Sequence, residues 1–298
     1  MLTPERREFI IDQLTDIPNR LFYYPFAKLL VKPAALTPVT PTQISIFHAC
    51  ISLVVAVLIT FNEPFYFYIA FALNQLRAVL DCLDGTLARY KKMTSSLGRT
   101  IDTYADALGF VSLITGIVFV LKEQYPVSTV VFWITCVVLT ANFMAHGTDF
   151  FKRKYTSALR NQEDEIGKEL LNKKRELQAP GAHFLHRLGY ANDWFQVIIL
   201  TPLGIPAIRK TLATGELDYK EVRAINSMPE RTLRIFFTLI SLMTGDIAIF
   251  IITLGLLFND LLLFIKIATF YGVVLVIATV IYRQILLRIY TQEGEHAS

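Results

Sequence analysis

The chain has 298 residues, 53% of them hydrophobic, with 29 basic against 25 acidic side chains and a formal net charge of +4. Its mean hydropathy of +0.45 is well above that of an ordinary soluble domain, and so small a positive excess gives no case for nucleic acid as a partner. The three cysteines, Cys50, Cys82 and Cys136, fall in apolar runs and read as small buried side chains with no disulfide framework.

The first residues, MLTPERREFI, are no signal peptide, because the apolar run after the charges is short and broken by acids. From Glu8 to Leu30, residues such as Ile10, Leu14, Leu21, Phe22, Phe26 and Leu29 mix with Arg20 and Lys28. That pattern predicts an amphipathic surface helix at the headgroups, broken at Pro18 and Pro25. Residues 1–41 form this juxtamembrane arm. A plain solvated arm is the alternative.

Six apolar stretches follow, each long enough to cross about 30 Å of hydrocarbon. They run approximately over Thr42–Phe61, Phe65–Ala88, Ile101–Leu121, Val127–Ala145, Thr232–Phe258 and Leu261–Arg283. Residues 42–146 hold the first four, 147–231 form a long insert, and 232–298 hold the last two and a tail. Short polar breaks at Asn62–Pro64, Lys122–Pro126 and Asn259–Asp260 join helices on one side. Lys and Arg concentrate on the other side, which carries the N-terminal arm, Lys91 and Lys92, the insert and the tail. The positive-inside rule then puts both termini, the insert and the Asp-rich ends of helices two and three in the cytoplasm. The expected fold is an all-α integral membrane protein: six transmembrane helices, an N-terminal amphipathic surface helix and a cytoplasmic helical insert. Within the insert, Lys152–Leu177 is charged and helical in pattern and reads as a solvated face. Trp194–Ile205 is apolar but too short to span.

Chemistry concentrates in DCLDGTLARYKKMTSSLGRTIDTYAD, from Asp81 to Asp106. Each charge at membrane depth costs about 2.5–3.5 kcal/mol on insertion scales, so four carboxylates there need a partner or a function. Asp81 and Asp84 are three apart, Asp102 and Asp106 four apart, so each pair shares one helix face. Tyr90 to Leu97 suits a turn between two antiparallel helices. The hairpin would aim all four acids at one point, where divalent cations offset their mutual repulsion. An all-oxygen set suits Mg2+ or Mn2+ before Zn2+, and no His or Cys is spaced as a further ligand except Cys82, which points to another side of the helix from Asp81. Gly85, Ala88 and Gly98 remove side-chain bulk beside the acids, and Arg89 offers a planar donor fork for phosphate oxygens. The bland alternative is an intramembrane ion-pair cluster that stabilises a hairpin.

Other polar residues sit in the apolar stretches. Arg77, one turn before Asp81, either binds an acceptor phosphate or neutralises the acids. Asp246 suits a structural hydrogen bond better than substrate contact. His48, Asn142 and His146 each read as satisfied core residues before functional ones, and Lys266 snorkels.

The motif D-x2-D-G-x2-A-R-x8-G-x3-D-x3-D is met at Asp81, Asp84, Gly85, Ala88, Arg89, Gly98, Asp102 and Asp106. In it the chain resembles the CDP-alcohol phosphotransferases. Leu36–Ser45 is similar to that family's TPN-x-x-T lead-in to the first membrane helix, with Thr42 where Asn is usual and Ser45 where Thr is usual. The resemblance implies transfer of a phosphoalcohol group, most often phosphatidyl from CDP-diacylglycerol, to the hydroxyl of an alcohol acceptor, with release of CMP. It implies two Mg2+ or Mn2+ ions on Asp81, Asp84, Asp102 and Asp106. Donor contacts would fall at Gly85, Ala88, Arg89 and Gly98, with Asp106 as the base, in a membrane-embedded homodimer. A CDP-amino alcohol or CDP-polyol donor is the alternative within the family. An ion or proton transporter is the alternative outside it, and deep midplane acids on broken helices would be its mark.

Overall fold

A computed structural model describes residues 4–14, 17–94, 96–178, 184–201, 205–215, 217 and 219–296, and among these every regular element is a helix. In chain order they are α1 (Pro4–Asp12), a π-helical turn (Asn19–Tyr23), α2 (Tyr24–Ala35), α3 (Pro41–Thr60), α4 (Pro64–Tyr90), α5 (Ser96–Gln124) and α6 (Val127–Asn161). After them come α7 (Glu165–Gln178), α8 (Phe184–Leu200), α9 (Ile205–Thr214), α10 (Lys220–Ser227), α11 (Glu230–Leu242), α12 (Gly245–Phe258) and α13 (Leu261–His296).

The helix ends follow from local chemistry. Thr40 caps α3 through a reciprocal box: its hydroxyl accepts from Gln43 N at 3.3 Å, and the Gln43 side chain accepts from Thr40 N at 2.9 Å. Pro41 occupies the first turn, where its missing N–H costs nothing. Asn62 and Asn259, the polar breaks read from sequence, take positive φ of 53° and 56° after α3 and α12, a conformation asparagine tolerates. Asp260 then accepts from Leu263 N at 3.0 Å and caps α13. The turn expected at Tyr90–Leu97 lies between α4 and α5, with Ser95 outside the described residues.

Among the described residues, four helical segments are long and apolar enough to cross a membrane: Pro41–Thr60, Tyr104–Gln124, Val127–Asn161 and Leu261–Tyr290. The count becomes five if α11 and α12 form one broken span. The stretch Thr232–Phe258 is thus interrupted, since α11 ends at Leu242 and α12 restarts at Gly245. The stretch at Phe65–Ala88 is helical, as α4, yet falls short of the same apolar threshold. Asn74, Gln75, Arg77, Asp81 and Asp84 lower its hydropathy.

The chain divides into two compact units. One comprises residues 16–141 and 245–272. There α3 packs on α4 and α5 around Val55, Ile59, Phe67, Ala70, Leu113 and Ile117, all at most 2% exposed. A Cβ at Gly116 of α5 would lie 2.8 Å from the Ala56 carbonyl of α3, so glycine there permits the close approach. A second cluster sets Tyr23, Ala27 and Val31 against Leu83 and Leu87 of α4. Leu21, Phe22, Phe26 and Leu29, on the arm expected at the surface, are exposed. Lys91, just beyond α4, donates to the carbonyls of Thr37 and Val39 at 2.8 Å each, tying the α4 end to the start of α3.

The other unit comprises residues 1–15, 142–244 and 273–298. Here the insert is a packed helical body. Phe150, Phe151, Tyr155, Phe236 and Phe237 form a buried aromatic core with edge and tilted contacts. The charged run from Lys152 is only partly a solvated face. Lys154 is 2% exposed and pairs with Glu221 at 2.7 Å, and Arg283, fully buried, bonds the same carboxylate. Burial pushes the Glu221 carboxyl up, but Arg283 and Lys154 outweigh it and hold the group below its ordinary value. Removing one partner of such a set typically costs about 3–5 kcal/mol. The apolar stretch Trp194–Ile205 falls on the end of α8 and the start of α9, with residues 202–204 outside the described set.

Candidate active site

The motif is built on two helices and completed by a third. Asp81 and Asp84 lie on α4, Asp102 and Asp106 on α5, and α3 brings Ser45 and His48 to them. Ligand atoms of His48, Asp81, Asp84 and Asp102 all lie within 4.8 Å of one another. His48 Nε2 is 3.6 Å from Asp84 Oδ2 and 4.0 Å from Asp81 Oδ1. The Ser45 hydroxyl donates to Asp84 Oδ2 at 2.5 Å and fixes that carboxylate. The spacing of the motif predicts no imidazole in the acid cluster. A signal for it was present: Ser45, His48 and Ser52 form a polar stripe at helical spacing on an apolar helix, and all three are buried.

Both nitrogens of His48 and Oδ1 of Asp102 are buried without a hydrogen-bond partner among the described residues. A buried polar atom left unpaired costs about 1–3 kcal/mol, so several converging on one point call for an occupant. Carboxylates with one imidazole fit a divalent cation. The residues present therefore suit the metal that the motif implies.

Asp106 sits apart from these four. It accepts from Arg77 Nη2 at 2.9 Å, and Arg77 is 6% exposed. Of the two roles open to Arg77, neutralising an acid is the one its contacts serve, and the acid is Asp106. Gly109 of α5 makes this pairing possible: a Cβ there would meet Nε, Cζ and Nη2 of Arg77 at 2.6–2.8 Å. We expect Gly109→Ala to displace the guanidinium and cut turnover roughly 10–100-fold, as small misplacements at a reacting centre do. The check is steady-state turnover beside donor affinity, which should stay near the parent value. A variant as active as the parent would show that the Arg77–Asp106 pair is dispensable.

The motif residues line two cavities. Asp84, Gly85, Ala88, Arg89, Gly98 and Asp102, with Ser45 and Thr42, line one of about 310 Å3. A Cβ at Gly85 would only touch Arg89 Nη1 at 3.7 Å, an ordinary contact. Glycine is thus not demanded by protein packing, and its bare backbone leaves room for a ligand. Asp81 and Asp106 line the other cavity, of about 30 Å3, with Asn19, Asn74, Arg77 and Asp246. Asp246 accepts from Asn19 Nδ2 at 2.8 Å, a structural hydrogen bond at the edge of the site. A larger cavity of about 760 Å3, lined by Arg7, Arg223 and Asn226 among others, holds no motif residue. Asn142 and His146 are exposed and outside the cluster, and Lys266 lies 5.5 Å over the Trp133 ring.

The family model of the CDP-alcohol phosphatidyltransferases matches residues 38–170, from the lead-in to α3 into α7. Residues 38–170 are a CDP-alcohol phosphatidyltransferase domain. The chain is also 31% identical over 123 residues to a ceramide phosphoethanolamine synthase of Drosophila melanogaster. That match covers 38% of this chain and 31% of the relative's length. The domain is that of the CDP-alcohol phosphotransferases, which as a class are transferases of substituted phosphate groups. Together with the long apolar helices it marks an integral membrane protein.

Proposed function

We propose that the chain is a CDP-alcohol phosphotransferase that moves a phosphoalcohol group from a CDP-alcohol donor to an acceptor hydroxyl, releases CMP and makes a membrane phospholipid. The observation that carries this is the convergence of Asp81, Asp84 and Asp102 at the edge of a groove floored by Gly85 and Ala88 and flanked by Arg89. Mg2+ or Mn2+ held by Asp81, Asp84 and Asp102 would supply charge neutralisation at the donor pyrophosphate. Gly85 and Ala88 let the nucleotide lie against α4, and Arg89 binds phosphate oxygens. The acceptor oxygen attacks the phosphorus that bears the alcohol. A new P–O bond forms there, the bond to the bridging oxygen breaks, and CMP departs with that oxygen. Asp106 takes the hydroxyl proton, and Arg77 holds its carboxylate in place.

The donor has two readings. A phosphatidyl donor with a soluble alcohol is the family's commonest pairing. The relative's name, ceramide phosphoethanolamine synthase, favours instead a CDP-amino alcohol donor and a lipid acceptor. CMP release by the purified full chain separates them. CDP-diacylglycerol with soluble alcohols supports the first, and CDP-ethanolamine with ceramide or diacylglycerol supports the second. No CMP from any pair would remove the transferase reading. The transferase domain favours this chemistry over ion transport.

We further propose six spans, with α4 as the one kept polar by its catalytic residues, and a cytoplasmic site and termini. The Lys/Arg bias supports this orientation. Gln162, exposed at a positive-φ turn after α6, reports on it. A cysteine there should resist impermeant thiol reagents in intact cells and react after lysis. Labelling before lysis would reverse the topology.

A further inference from the structure

We propose that His48 is a nitrogen ligand of the divalent cation bound by Asp81, Asp84 and Asp102, and that it shifts the site's preference from Mg2+ toward transition-metal ions such as Mn2+. This rests on the reading above that the acid cluster holds divalent cations. His48 lies on α3, outside the Asp-rich motif. It is fully buried, and its Nε2 faces Asp84 Oδ2 at 3.6 Å and Asp81 Oδ1 at 4.0 Å. Those separations exceed a hydrogen bond. They are short enough for both atoms to reach one ion, since two donors each about 2.1 Å from a shared cation lie at most about 4.2 Å apart.

Packing alone gives no account of this side chain. Neither ring nitrogen has a hydrogen-bond partner among the described residues, so a merely structural His48 would bury two polar atoms at a loss. Ser45, one turn earlier on α3, bonds Asp84 at 2.5 Å and orients the carboxylate beside the imidazole. Such outer hydrogen bonds steady metal-ligating carboxylates. A set of three carboxylates and one imidazole is softer than an all-oxygen set. Imidazole binds transition-metal ions better than Mg2+, which favours oxygen and retains its waters. A protonated His48 acting only as a counter-charge would have no free nitrogen for a metal, so the two roles differ by direct observation.

The test uses the full chain in detergent, without a polyhistidine tag, stripped of metal and titrated with Mn2+ alone. Pulsed electron paramagnetic resonance of the bound Mn2+ should show a directly coordinated imidazole nitrogen. His48→Gln should lose that signal and bind Mn2+ about tenfold or more weakly. Mg2+ affinity, read by competition, should fall less, so the Mn2+/Mg2+ ratio narrows. His48→Glu should still bind Mn2+ but without the nitrogen signal. Mn2+ bound to the parent with no nitrogen coupling would overturn the role of His48 while sparing the metal cluster. Nitrogen coupling that persists in His48→Gln would do the same. No Mn2+ binding to the parent would overturn the cluster reading, and this inference with it. The parent spectrum decides the matter even where a variant fails to fold.

Discussion

Alanine at Asp81, Asp84 or Asp102 should reduce CMP release by roughly 10²–10³-fold or more, the usual cost of losing a group that stabilises transition-state charge. The protein should remain folded. Asp84 is held by Ser45, whose hydroxyl also lies 3.2 Å from the Pro41 carbonyl and keeps that bond when the carboxylate goes. Removing one of several crowded acids also relieves like-charge repulsion. In chelator, then, the variants should melt no lower than the parent. Added Mg2+ or Mn2+ should raise the parent's melting temperature, because a ligand that binds only the native state stabilises it in proportion to its saturation. The variants should lose most of that rise. Full parent activity in excess chelator would refute the metal site. A variant that melts far below the parent in chelator would show its acid to be structural.

How far the sequence spoke depends on the kind of information each residue carried. The helix hairpin was legible because Asp81, Asp84, Asp102 and Asp106 repeat at three and four residues inside apolar runs. The loops at Asn62 and Asn259 were legible because asparagine before an acid or proline interrupts an apolar stretch and accepts positive φ. Helix lengths were less so. The fourth apolar stretch ends near Ala145, yet α6 continues to Asn161. Its extension carries Lys154, whose charge looks like a solvent signal but is buried against Glu221 from residues far along the chain. The break at Met243–Thr244 left little trace in an apolar run. Thr148 of α6 donates to the freed Met243 carbonyl, a partner that only the fold supplies. Arg77 shows the same limit. Its spacing placed it beside Asp81 on α4, while its guanidinium reaches across to α5 through the gap at Gly109. His48 was hidden by habit: one histidine on an apolar helix is ordinarily a core residue, and only α4 and α5 show what it faces.

Asp106→Asn should lower turnover by about 10²–10⁴-fold, the range expected when a general base is lost. The substitution is conservative in shape. An asparagine oxygen still accepts from Arg77 Nη2, now 2.9 Å from Asp106 Oδ1, so the pairing of α4 with α5 should survive. What disappears is the capacity to take a proton from the acceptor. Asp106 lines the smaller cavity with Arg77 and Asn74, whereas the proposed donor groove is lined by Asp84, Gly85, Ala88, Arg89 and Asp102. Donor binding should therefore change little. Two measurements on one preparation decide the role: CMP release, and affinity for the CDP-linked donor. Turnover near the parent rate would remove Asp106 as the base. If donor affinity falls along with turnover, Asp106 acts chiefly as a metal ligand, as the motif resemblance implies for all four acids. Loss of turnover with donor affinity intact would assign proton transfer to the carboxylate that Arg77 holds.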